Sequence, residues 1–306
     1  MKRFIHYIYI FGISSILVVS CKQVKIADAD RKFAEGEYFA AADMYRQIYR
    51  RTPPKKKELR GEVALKMAES YRLINNPMRA NAAYQNALRY NTIDTTLMLQ
   101  YARSLHKVGD YKTAARYYQE FLSRYPDNQF ALNGLEGTKL APEWKEKPTR
   151  YEVTPMDLFR SNKGGEFCPA LLPPGYDQVY FSSNRKEALG DTISQITGTK
   201  TNDIFRARKD ENGKWMAPEK LESPINTVYD EGSPSFSQSG TNMYYTFCPQ
   251  DSVNSKPAVI KISQRVDGNW KAGVEVVINK NDSMRIFAHP AIDASERFLY
   301  FVSDMA

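Results

Sequence analysis

The chain has 306 residues, 42% of them hydrophobic and 25% charged, with a formal net charge of +8 and a mean hydropathy of -0.55. That composition excludes a disordered tract, a collagen-like repeat and a polytopic membrane protein. Three cysteines and three histidines exclude a disulfide scaffold and leave little for a Cys/His metal centre, so no metal and no cofactor are expected. The length suits about two domains, and the charge divides them. Residues 22–150 carry 24 basic and 15 acidic side chains; residues 151–306 carry 17 and 20. Opposite signs on the two halves predict different partners.

The first residues predict an exported protein. Met1-Lys2-Arg3 is a short basic start, followed by an apolar run from Phe4 to Val19. The run is short for a membrane span but suits the core of a secretory signal. It closes in Leu17-Val18-Val19-Ser20-Cys21. A small residue directly before a cysteine resembles a bacterial lipobox, although Val18 stands where leucine is preferred. The resemblance implies removal of residues 1–20, acylation of Cys21 and a tether over 21–27. Lys22, in place of aspartate, implies the outer membrane and a lipid-anchored protein facing the periplasm. An ordinary signal peptide with a chance cysteine is the alternative. Export argues against nucleic acid as partner of the basic half.

Residues 28–141 repeat. Gly36-Glu37-Tyr38, Ala41, Tyr45, Ile48 and Pro53 recur as Gly109-Asp110-Tyr111, Ala114, Tyr118, Phe121 and Pro126. Asn75-Asn76-Pro77, Ala80, Tyr84 and Ala87 fall at the same offsets between them. Glycine admits a tight turn, alanine lets paired helices approach closely, and tyrosine fills the gap between pairs. A period near 34 residues with these words resembles the tetratricopeptide repeat. The residues expected to hold the repeats together are Gly36, Tyr38, Ala41, Ala80, Tyr84, Gly109, Tyr111, Ala114 and Tyr118. Bulky replacements at the glycines and alanines are expected to cost stability through overpacking. Asn128–Leu140 reads as a capping helix. The basic charge of this half predicts an acidic protein segment on the concave face, with plain solvation of surface lysines as the alternative.

A proline-bracketed linker is expected over 142–160. Short alternating runs then replace the helical period. Glu166-Phe167-Cys168-Pro169, Glu231-Gly232-Ser233-Pro234 and Phe287-Ala288-His289-Pro290 correspond, and each leads into a strand: 178–185, 242–246 and 298–304. Units of this length read as propeller blades. The words Tyr180-Phe181-Ser182-Ser183-Asn184-Arg185, Asp203-Ile204-Phe205 and Ile225-Asn226-Thr227 resemble the TolB-like propeller. Two blades and part of a third are expected over 161–306, leaving Phe298, Tyr300 and Val302 partly exposed. A ring of this kind needs about four to eight blades, so an N-terminal fragment is expected, poorly soluble by itself. Turn chemistry alone explains Asp203, Asp230 and Glu231, and no catalytic role is assigned to them. Whether Cys168 and Cys248 pair is left open.

The predicted fold class is multidomain, α then β: an α-solenoid of tetratricopeptide repeats followed by an incomplete TolB-like β-propeller. That order, behind a lipobox, resembles the Bacteroidetes envelope lipoproteins of the OmpA family, especially those associated with the type IX secretion system. The resemblance implies a non-enzymatic scaffold that binds envelope proteins of a secretion or gliding machine. It further implies a link to peptidoglycan through a C-terminal OmpA-like domain absent here. Two alternatives stand beside it. A propeller-gated periplasmic serine peptidase would need a hydrolase domain beyond residue 306, since no Gly-x-Ser-x-Gly elbow occurs. A nutrient-uptake lipoprotein would be helical throughout, against the strand repeats.

Overall fold

The structure is a computed structural model describing residues 23–90, 94, 96–162, 164–249, 257–278 and 285–305. Cys21, with the expected signal and lipidation site, lies outside the described residues.

Among the described residues seven helices come first: α1 (Ile26–Ala34), α2 (Tyr38–Arg51), α3 (Lys57–Leu73), α4 (Pro77–Arg89), α5 (Leu97–Lys107), α6 (Tyr111–Leu122) and α7 (Gln129–Glu146). Each packs on the next. Three of the turns between them are the same motif. Gly36 (φ 80), Asn75 (φ 55) and Gly109 (φ 83) end α1, α3 and α5 in the left-handed region. The next amide then reaches back: Glu37 N to Lys32 O at 2.9 Å, Asn76 N to Tyr71 O at 2.8 Å, Asp110 N to Leu105 O at 3.1 Å. These bonds satisfy carbonyls that a helix end leaves free, and only glycine or asparagine adopts the turn cheaply. Asn76, Asp110 and Asn128 then accept from the amides of Arg79, Thr113 and Ala131 at 3.3, 3.1 and 3.0 Å, starting α4, α6 and α7. Ala41, Ala64, Ala80, Ala102 and Ala114 are fully buried where helices cross, with Tyr45, Tyr84 and Tyr118 filling the seams. The capping helix α7 runs through Pro142 to Glu146, past residue 142 where the linker was expected to begin. Among the described residues no helix is long and apolar enough to cross a membrane.

Strands follow: β1 (Glu166–Leu171), β2 (Gln178–Ser183), β3 (Asp203–Arg208), β4 (Glu219–Lys220), β5 (Asp230–Phe236), β6 (Asn242–Cys248), β7 (Val259–Val266), β8 (Asn269–Trp270), β9 (Val274–Glu275), β10 (Phe287–Ile292) and β11 (Leu299–Ser303). They form three antiparallel sheets in chain order: β1-β2-β3-β4, then β5-β6-β7-β8 with β9 on β7, then β10-β11. The first two sheets share a core of Tyr180, Ile204, Phe236, Met243, Tyr245 and Trp270. The Tyr180 ring meets Phe236 and Trp270 edge to face, at 4.8 and 6.2 Å between centroids, while Phe236 and Trp270 stack, and the Trp270 indole donates to the Tyr180 hydroxyl at 3.2 Å. Such pairs stabilise by about 1 kcal/mol beyond area burial. Strand β10 lies against β5 and β6. In the third sheet Phe298, Tyr300 and Val302 are 56%, 64% and 56% exposed.

Among the described residues the helical and strand parts meet through the backbone at the start of α2 and the β2–β3 connection. Glu37 gives α2 no side-chain cap. Instead the Phe39 amide donates to Gln195 O at 3.0 Å and to Ile196 O at 3.2 Å, and the Ala40 amide to Gln195 O at 3.2 Å. The β2–β3 connection thus satisfies donors that the helix start leaves free.

Candidate protein-binding groove

The predicted repeat residues are placed as follows. Ala41, Ala80, Ala114, Tyr84 and Tyr118 are buried in the helical core. Tyr38 and Tyr111 are half-buried, edge-on to Phe33 and His106 at 5.3 Å each. Gly36 and Gly109 differ from expectation in their reason. A Cβ on either would meet nothing within 4 Å, so overpacking is not what forbids a larger residue; the positive φ is. Close packing falls on two glycines that sequence reasoning passed over. A Cβ on Gly134 of α7 would overlap the Tyr118 ring, and one on Gly137 would lie 2.9 Å from the His106 ring.

The seam tyrosines reveal how the groove acquires its charge. Tyr45 donates its hydroxyl to Asp30 at 2.6 Å, and Tyr84 donates to Glu69. Each carboxylate lies on the preceding helix, 15 residues earlier. Asp30 is paired with Lys66 at 2.7 Å and Glu69 with Arg72 at 2.6 Å. The corresponding partner of Tyr118 is Arg103. In the third repeat the carboxylate is therefore replaced by a cation, and the compensation is lost. Arg103 donates to the Gln100 amide oxygen at 3.3 Å. Lys107, one turn on, donates to Asn75 Oδ1 at 2.6 Å. Neither has a carboxylate within ion-pair distance among the described residues.

Between α3 and α5 these side chains line a cavity of about 290 Å³ with Arg72, Pro77, Ser104 and His106. Burial holds the His106 imidazole below its usual value, which favours the neutral ring, with one nitrogen to donate and one to accept. A half-buried, positively charged groove with amide and hydroxyl groups beside it suits carboxylates on an extended chain. The groove was not legible as a site, although comparing Asp30, Glu69 and Arg103 at their common offset would have found it.

The strand half has a larger cavity of about 550 Å³ lined by Arg206, Glu219, Lys220, Glu222 and Lys271, but there the Arg206 guanidinium is paired with Glu219 at 2.5 Å. Asp203, Asp230 and Glu231 serve the fold: they accept from Leu189 N at 2.9 Å, Asn202 N at 3.0 Å and Thr227 N at 3.0 Å. Burial pushes the Asp203 carboxyl up to about 6 and that of Glu231 up to about 7. Cys168 and Cys248 are both free thiols. Burial pushes the Cys248 thiol up to about 12. Among the described residues no three His, Cys, Asp or Glu stand close enough to hold a metal.

A tetratricopeptide-repeat family profile matches residues 96–128, the span of α5, α6 and the turn into α7. No curated protein matches the sequence. Among solved structures, the chain is similar to the myosin chaperone UNC-45 from C. elegans in complex with an Hsp90 peptide, with 17% identity and a TM-score of 0.36. That likeness covers 40% of this chain and 14% of the other, so the chain spans only a small part of that protein. It is also similar to the TPR domain of Sgt2 from Aspergillus fumigatus, with 19% identity, 42% and 85% coverage and a TM-score of 0.33. The first TPR of Spaghetti (RPAP3) bound to an HSP90 peptide gives 18%, 38% and 89%, and 0.32.

Proposed function

We propose that the protein is a non-enzymatic scaffold whose helical repeats grip an acidic polypeptide segment between α3 and α5. The observation that carries this reading is Arg103, which occupies the offset where the first two repeats place a compensated carboxylate, and which stands beside Lys107 without an acidic partner. The three sheets, read as part of a TolB-like propeller, would give a second protein-binding platform. The lipobox residues ending at Cys21 support anchorage to the outer membrane, facing the periplasm. In that setting the scaffold would serve a secretion or gliding machine and join it to peptidoglycan through an OmpA-like domain outside this sequence.

The test is binding of a fluorescent, glutamate-rich peptide to the full chain at low salt, followed by anisotropy. Wild type should bind, and weaken as salt rises. Arg103→Glu with Lys107→Glu should abolish binding while leaving the thermal melt in place. Binding that survives the double reversal would sink the groove assignment. For the anchor, Cys21→Ser should move the protein from the detergent phase to the soluble periplasmic fraction; unchanged partitioning would refute it.

A further inference from the structure

We propose that the edge of the helical array formed by the end of α2 and the start of α3 is a membrane-facing surface that binds the anionic phosphates of a phospholipid bilayer. The inference rests on the lipobox reading for its direction, while its test uses no acyl group.

Six cations gather at this edge. Lys25 stands just before α1, Arg50 and Arg51 close α2, and Lys55, Lys56 and Lys57 lead into α3. All six are exposed, and none has a carboxylate within ion-pair distance among the described residues. The acidic side chains beside them are Asp28 in the first turn of α1 and Glu58 in the first turn of α3. The edge therefore keeps a net positive charge.

Packing fixes these charges in place. Arg51 Nη2 donates to Val24 O at 2.6 Å, tying the end of α2 to the segment that enters α1. Thr52 closes α2 with its hydroxyl on Ile48 O at 2.8 Å, and Lys56 N donates to Pro53 O at 3.0 Å in the turn that follows. The Arg60 guanidinium lies over the Tyr49 ring at 4.1 Å. It donates to Thr52 O, to Tyr49 O at 3.2 Å and to the Tyr90 hydroxyl at 2.9 Å. A seventh cation thus braces the edge on which the other six stand.

The lysines also protrude. Helix α3 has 17 residues and α5 has 11, yet both end at the equivalent turn, Asn75 and Gly109 being 34 residues apart. The difference lies at the start of α3, which extends about 9 Å further than α5. Lys57 begins that extension, with Lys55 and Lys56 just before it.

What the edge faces follows from the course of the chain. Val24 comes three residues after Cys21, so an acylated Cys21 lies within about 10 Å of it along the backbone. The sheets are joined to the other end of α2, at Phe39 and Ala40, about 18 Å away. Tether and strand half leave α2 at opposite ends, which turns the basic edge toward the bilayer and the sheets away from it. Each Lys or Arg held against an anionic lipid surface raises partitioning about fivefold. Acyl chains fix one point of the molecule, and the basic edge fixes its tilt. An acidic peptide is better served by the groove of Arg103 and Lys107, which lies toward the other ends of α3 and α5 and has a cavity to hold it.

The experiment co-sediments the chain from Lys22 onward, which includes every described residue, with vesicles of phosphatidylglycerol in phosphatidylcholine and with vesicles of phosphatidylcholine alone. Binding to the anionic vesicles alone is expected, falling as salt rises. Lys55→Glu, Lys56→Glu and Lys57→Glu together should lower partitioning by on the order of 100-fold or more. Lys112→Glu, Lys145→Glu and Lys214→Glu change the net charge equally at exposed sites away from this edge, and should leave partitioning nearly unchanged. Circular-dichroism melts of all three chains should coincide. The proposal is overturned if the two triple variants bind alike, if phosphatidylcholine alone is bound equally well, or if no vesicle is bound at low salt. It is equally overturned if reversal of the three clustered lysines abolishes capture of the glutamate-rich peptide while sparing the vesicles, which would give the edge to a protein partner. None of these outcomes bears on the detergent-phase test of Cys21→Ser, so anchor and edge fail separately.

Discussion

Gly198, in the β2–β3 connection, lies directly against the ring of Phe39 at the start of α2. Its φ of 75 and the position of the Phe39 ring leave no room for a Cβ. The connection is closed by Gly198 N to Ser194 O at 2.8 Å and Ser194 N to Thr199 O at 2.9 Å, which presents the carbonyls of Gln195 and Ile196 to the helix. Gly198→Ala combines a left-handed alanine with steric overlap, and should weaken this contact by about 1–3 kcal/mol. Hydrogen exchange at the Phe39 and Ala40 amides should accelerate while the amides within α5 and α6 stay protected. Unchanged protection at Phe39 would show that the contact does not depend on Gly198.

The turn glycines should respond to backbone and not to size. Gly109→Ala should cost about 1 kcal/mol, because alanine pays for φ 83 but meets no neighbour. Gly109→Asn should cost less, as Asn75 already fills the equivalent turn. Ala114→Leu acts differently: its site is fully buried, and the added volume should cost about 1–3 kcal/mol. Chemical denaturation of the four chains would separate the two mechanisms. A Gly109→Asn loss as large as that of Ala114→Leu would contradict the account.

The buried carboxyls make the strand half sensitive to pH. Burial is the largest cause at both Asp203 and Glu231, with mutual repulsion and that of Asp230 adding to it at Glu231. Their folded values, about 6 and about 7, exceed the ordinary 3.8 and 4.5. The folded state therefore holds these protons more tightly than the unfolded chain. That contribution is complete below the ordinary carboxylate range and is lost as pH rises to about 7. Glu231→Gln should flatten the fall in melting temperature between pH 5 and pH 8. An equally steep fall in the variant would exclude Glu231 as the cause.

Arg185 joins the segment before β1 to the first sheet. Its guanidinium donates to Phe159 O at 2.7 Å, to Glu166 Oε1 at 3.1 Å and to Ser183 Oγ at 3.2 Å. It also lies over the Phe181 and Phe205 rings at 5.1 and 4.9 Å. Arg185→Ala should destabilise the strand half by about 3 kcal/mol. Arg185→Lys should recover little, since a point charge cannot make the forked contacts or lie over the rings. Differential scanning calorimetry of both variants checks this; a lysine variant as stable as wild type would refute the geometric argument.

What the sequence made legible was local and periodic. Gly36, Asn75 and Gly109 each stand nine residues before a seam tyrosine, each ends a helix, and each turn is closed by bonds within a few residues. The buried alanines follow the same period. The sheet words were legible too, but not what they do. A residue before proline reads as extended, so Cys168, Ser233 and His289 gave no sign of left-handed bulges that bring them together. Pro142 reads as a helix stop, yet α7 carries it in its exposed last turns. The Gly198–Phe39 contact joins residues that no period relates. The groove escaped because its signal is a reversed charge at one offset, which composition averages away.

The capping of α2 by Gln195 and Ile196 has a consequence for how the molecule can be used. The contact involves the start of α2, whereas the groove is built from α3, α5 and the ends of their neighbours. The two share no residue. A guest held between α3 and α5 as proposed could therefore enter or leave without breaking the bonds that hold the helices to the sheets, and a variant that loosens those bonds would leave the guest's contacts intact. Grip and posture are separately adjustable in this chain.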